Sequence, residues 1–162
     1  MNNDPYSDDV KPLLESAIQS GDSAGLESYL LKNQSPSLLT AFAQAVGEVC
    51  VRPDPPVEYL ESLLDGWAAH QDAESIALVV AAVVAYGRVA IVRPDWWDDE
   101  TGKLREAAKI RDDRGLEAVK AVMQELLKVA PERTLTALGD WREDSDQRVS
   151  DLAIQLLRED EM

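Results

Sequence analysis

Side chains able to do chemistry are sparse in this chain. One histidine, His70, and one cysteine, Cys50, are its only imidazole and thiol. Zinc sites draw most of their ligands from several histidines and cysteines, so with one of each a zinc site is close to excluded. His70 falls at the end of a helical pattern, where the dipole favours a cation. Cys50 sits between Val49 and Val51, the setting of a buried, inert thiol. A nucleophilic pair needs His70 beside Cys50 or a serine, and no spacing brings them together. The eight glycines are scattered and form no phosphate-cradling loop. The acidic run Asp95, Asp98, Asp99, Glu100 lacks the alternating oxygens and the glycine of a calcium loop. Asp144-Ser145-Asp146 reads as turn and cap chemistry. The expectation is a protein with no catalytic residue, no metal and no cofactor: not an enzyme.

Trp96-Trp97 is the sharper feature. Neighbouring side chains on a helix or strand point apart, so one ring is expected to plug the core while the other lies outside. Tryptophan is favoured at binding hot spots, and the carboxylates around the pair suit a basic partner. The candidate partner-binding residues are therefore Trp96, Trp97, Asp95, Asp98, Asp99 and Glu100. Arg88 lies inside the most apolar stretch. It is expected to reach an acid such as Asp65 or Glu100, or to snorkel to solvent.

Charge narrows the partner further. The chain carries 31 acids against 16 bases, a net charge of −15, and both halves are acidic. Such a surface repels nucleic acid and anionic lipid and attracts a basic protein. A lone cysteine forms no intrachain disulfide. The opening Met1-Asn-Asn-Asp-Pro-Tyr-Ser-Asp-Asp9 has neither the basic nor the apolar part of a signal peptide. A reducing cytoplasm is the expected location.

The elements that must position these residues read as helices. Ile76–Val92 is apolar at all but Gly87 and Arg88. A helix apolar all round is buried or spans a membrane, and seventeen residues with an internal arginine fall short of a span. It is expected to be the core helix; its six valines and two isoleucines leave a two-strand alternative, against which its alanines and helical neighbours argue. Before it, Asp9 is expected to cap a helix with the stripe Val10, Leu13, Leu14, Ala17, Ile18. A short helix with Leu26, Tyr29 and Leu30 follows, and Ser35-Pro36 reads as cap plus first helical residue. Asp54-Pro55-Pro56 opens the next helix, and Asp72 or Ser75 caps the central one. After it, Asp95–Gly102 reads as a loop, or a loop plus a first helical turn, leading to a helix over about Lys103–Ile110. Asp112 or Asp113, Pro131 and Ser145 begin the last three.

Two stretches repeat. Ala45-Val-Gly47-Glu-Val-Cys-Val-Arg52-Pro53-Asp54 matches Ala85-Tyr-Gly87-Arg-Val-Ala-Ile-Val-Arg93-Pro94-Asp95 with one insertion. Pro12, Pro53, Pro94 and Pro131 are spaced by 41, 41 and 37 residues. A period near 40 with a helix pair per unit is the spacing of HEAT and armadillo arrays. The segment from Pro131 through Trp141, Asp144, Asp146, Arg148-Val149 and Ala153 to Leu156-Leu157 resembles a HEAT-type repeat. The fold implied is all-α: a short right-handed α-solenoid of about four antiparallel helix pairs, with an irregular helical bundle as the alternative. Its bounds are a flexible N-terminus over 1–8, one domain over 9–158 and an acidic tail over 159–162.

Stacked helix pairs make extended binding surfaces. The expected function is a protein-interaction module. An acidic inhibitor of the immunity or antitoxin kind is the alternative. HEAT-like DNA glycosylases are a third, disfavoured because they need a basic track: Arg105, Lys109, Arg111 and Arg114 are offset by Glu106, Asp112 and Asp113.

Overall fold

A computed structural model describes residues 7–33, 35–70, 73–109 and 113–161. The described residues are all-α, with no strand among them. The helices are α1 (Ser7–Ser20), α2 (Ala24–Lys32), α3 (Pro36–Cys50), α4 (Val57–Ala68), α5 (Ile76–Val92), α6 (Trp97–Ala107), α7 (Asp113–Val129), α8 (Pro131–Arg142) and α9 (Gln147–Glu161). Short 3-10 turns at Ala73–Ser75 and Pro94–Trp96 lead into α5 and α6.

α5 is the helix the others enclose. Its apolar side chains leave no hydrophilic stripe, and α2, α3, α4, α6 and α7 all pack against it. Val79, Ala81, Ala82, Val83 and Ala85 are fully buried. The two-strand alternative is thereby excluded. α3 lies on α5, α5 on α7, and α7 touches α9, while α1 rests on α3, α4 on α5, α6 on α7, and α8 on α9.

The sequence repeat has a structural counterpart at its glycines. A Cβ on Gly47 of α3 would lie 3.0 Å from Cγ of Arg88 on α5. A Cβ on Gly87 of α5 would lie 2.4 Å from Cγ1 of Val122 on α7. Each glycine thus seats a side chain from the next helix of the α3–α5–α7 series. The arginines of the two Arg-Pro-Asp triplets also reach backward. Arg52 pairs with Glu15 of α1, and Arg93 Nη1 donates to the Cys50 carbonyl at the end of α3 over 2.9 Å. A cation there meets the negative end of the α3 dipole.

Several helix starts follow the expected chemistry. The Ser35 hydroxyl accepts from Leu38 N at 3.2 Å, with Pro36 as first helical residue. Others are corrected. α1 already runs from Ser7, so Asp9 is no cap; its carboxylate accepts from the Tyr29 hydroxyl at 3.1 Å. α4 begins after Pro56, without a side-chain cap, rather than at Pro55. Ser75 makes no side-chain cap bond, and Asp72, Arg111 and Asp112 lie outside the described residues. Asp146, not Ser145, caps α9 by accepting from Arg148 N at 2.9 Å. α9 extends through Glu161, so the acidic tail continues the last helix. α6 begins at Trp97, six residues before Lys103, because Asp98, Asp99 and Glu100 occupy a first turn where the dipole favours carboxylates.

Candidate functional site

The chain turns by 118° between α5 and the segment Pro94–Ala107. Pro94 cannot continue the α5 ladder, and Arg93 fixes the corner. Its Nε and Nη2 donate to the two oxygens of Asp95 at 2.9 and 2.6 Å, and its guanidinium lies 3.9 Å above the Trp96 ring. This pairing holds the Asp95 carboxyl below the usual carboxylate range.

The six sequence candidates separate here. Trp96 is half-buried beneath Arg93, and Asp95, Asp98 and Asp99 are exposed. These four share one corner of the surface. Trp97 turns into the core, and the Arg133 guanidinium of α8 lies 5.0 Å over its ring. Glu100 is only 6% exposed. Trp97 and Glu100 are therefore not part of the open face expected for them. Helical periodicity is the reason: Trp97, Glu100, Thr101, Leu104 and Ala107 form the buried side of α6.

Glu100 enters a small polar cluster at the joint of α4, α5 and α6. Lys103 Nζ stands 3.6 Å from Asp65, 3.7 Å from Glu61 and 3.9 Å from Glu100, and 5.5 Å over the Tyr86 ring. The Tyr86 hydroxyl donates to Asp65 Oδ1 at 2.6 Å. A cavity of about 20 Å³ lies between Glu100, Lys103, Cys50 and Trp96, room for a single water molecule. Burial raises the Glu100 carboxyl to about 7, against the pull of Lys103 and with Asp65, Glu61 and Asp99 adding to the rise. Burial likewise lifts the Cys50 thiol to about 11, which keeps it protonated and unreactive. Tyr86 is held well above its ordinary value by burial and by its bond to Asp65.

Arg88 reaches neither expected acid: Asp65 serves Tyr86 and Lys103, and Glu100 faces Lys103. The Arg88 stem lies over Gly47 and the residue is exposed, the snorkelling arrangement. Within the basic run, Arg105 pairs with Asp144 at 2.6 Å and Lys109 with Glu106 at 3.0 Å. A groove of about 260 Å³ between α6 and α8 is lined by Trp97, Thr101, Arg105, Arg133, Asp140 and Trp141. Among the described residues, no three His, Cys, Asp or Glu side chains gather to hold a metal. No single helix among them is long and apolar enough to cross a membrane.

Sequence reading missed the cluster of Tyr86, Asp65 and Lys103. The one available signal was Glu100 and Lys103 at i, i+3, meaningful only once α6 is known to begin before them. No family model, curated protein or solved structure matches the chain.

Proposed function

We propose that this chain is a non-enzymatic interaction module, a short HEAT-like solenoid that holds a basic partner protein against the corner where α5 meets α6. The observation that carries the reading is the half-buried Trp96 at the turn into α6, with Asp95, Asp98 and Asp99 exposed beside it in the chain. An aromatic anchor with an acidic rim suits an arginine- or lysine-bearing surface. The repeated glycine joints support the solenoid, because each helix layer uses the next to bury its apolar face. The buried free thiol of Cys50 suits a reducing cytoplasm.

The test is capture of partners by the immobilised chain at low and high salt, with Trp96→Ala and Asp98→Asn/Asp99→Asn as comparisons. Both variants are expected to lose a partner that the parent retains. Equal recovery by both removes the corner from the binding surface. Trp97 is left intact because truncating it would open the core. The net charge of −15 favours a second reading, an acidic inhibitor that captures a basic effector by steering. Capture that collapses with salt supports the inhibitor; capture that persists supports apolar docking on Trp96.

A further inference from the structure

Glu100 is a buried acidic residue, and unlike the equally enclosed Asp144 carboxylate, which accepts from Arg105 at 2.6 Å, it has no cation within hydrogen-bonding distance. It sits mid-face on a helix whose other inward side chains, Trp97, Thr101, Leu104 and Ala107, carry no charge. The groups facing it are Cys50 from α3, Glu61 and Asp65 from α4, Tyr86 from α5, and Asp99 and Lys103 from α6 itself. Lys103 is the nearest cation, and at 3.6–3.9 Å it serves three carboxylates from beyond hydrogen-bonding distance. The adjoining cavity of about 20 Å³ admits one water, whereas an ionised carboxylate in bulk is surrounded by several. A charged Glu100 is therefore poorly solvated where it stands, and its escape is outward, with α6.

We infer that α6 is a proton-controlled element: protonated Glu100 seats it on α4 and α5, and ionised Glu100 loosens it. The neutral carboxyl adds no charge to this cluster and has one water-sized space beside it. The ionised form adds a third negative charge to Glu61 and Asp65 around a single ammonium. Because the first turn of α6 carries Asp98 and Asp99 and follows Trp96, loosening it alters the corner assigned above to the partner. To that extent the inference rests on the interaction reading and names its regulation. The movement of α6 itself needs no partner.

The test is amide-exchange protection of the free chain at pH 5.5 and 8.5, corrected for intrinsic exchange. Protection across α6 is expected to fall by about thirtyfold between those values, following the ionisation of a carboxyl held near pH 7, while amides in α8 and α9 that exchange through local opening keep theirs. In Glu100→Gln the α6 fall is expected to vanish. Protection of α6 that is the same at both pH values, or a fall that persists in Glu100→Gln, overturns the inference. If Glu100→Gln fails to fold, Glu61→Gln serves instead. Glu61 is exposed and raises Glu100 by like charge, so its removal moves the α6 transition to lower pH. An unmoved transition overturns the inference. Failure of partner capture leaves the exchange result intact and counts against the interaction reading alone.

Discussion

α5 meets its neighbours across two unlike flanks. Toward α7 the contact is dry and close: Gly87 admits Val122, and Val119, Met123 and Leu126 are buried alongside. Toward α4 and α6 the contact is polar and charged: Tyr86 bonds Asp65, Lys103 hangs over the Tyr86 ring, and Glu100 closes the joint. The first flank has no titratable group at its glycine seat and derives its fit from shape. The second derives its fit from protons and charge, and therefore responds to solution conditions. A single helix thus combines a fixed mount with an adjustable one, and the adjustable one carries the corner proposed to bind.

The contrast sharpens under substitution and pH. The largest effect is expected from Glu100. Folded, it keeps its proton up to about pH 7; its ordinary value is 4.5. Between those values the folded state binds more protons than the unfolded one, so stability falls as pH rises through the window. The full difference corresponds to roughly 3 kcal/mol at about 1.4 kcal/mol per unit. Urea unfolding at pH 4.5 and 8 is expected to show this loss in the parent, and Glu100→Gln is expected to be flatter by the same amount. Second comes the dry flank. Gly87→Ala puts a Cβ 2.4 Å from Val122 Cγ1, and overpacking of this kind costs about 1–3 kcal/mol. The midpoint of urea unfolding is expected to drop by that amount, equally at both pH values. Third, Tyr86→Phe removes the bond to Asp65 and is expected to cost about 1 kcal/mol by the same assay. The smallest effect, with the opposite sign, is expected at Gly47. Its Cβ would meet the flexible Arg88 stem at 3.0 Å, which can step aside. Gly47→Ala then gains helix propensity of up to about 1 kcal/mol. A destabilised Gly47→Ala would show the α3–α5 joint to be as rigid as its α5–α7 counterpart.

These features differ in how far the sequence exposes them. The bounds of α5 follow from an apolar run closed by Arg93-Pro94, and the start of α3 follows from Ser35-Pro36, because both signals are local. The correspondence of Gly47 with Gly87 is visible in the repeat. The side chains that fill them, Arg88 and Val122, are not, since they depend on how neighbouring helices settle. The start of α6 is obscured because Trp-Trp-Asp-Asp-Glu reads equally as an exposed acidic loop. Burial of Trp97 and Glu100 resolves it as helix. Glu100 is the hardest residue to read. Nothing local distinguishes it from Asp98 and Asp99; only its place on the inward side of α6 does. Of the six candidates, the exposure of Asp95, Asp98 and Asp99 and the half-burial of Trp96 were legible, while the charged joint behind them was not.

The central structural claim is that α5 is stacked on α7 by a side chain seated over a glycine, the joint that recurs between α3 and α5. Its most direct test is a double-mutant cycle of Gly87→Ala and Val122→Ala, followed by urea unfolding. Truncating Val122 vacates the space that the new Cβ needs. The double variant is therefore expected to be more stable than the sum of the two single losses by more than about 1 kcal/mol, well outside ordinary additivity. Losses that simply add would contradict the joint.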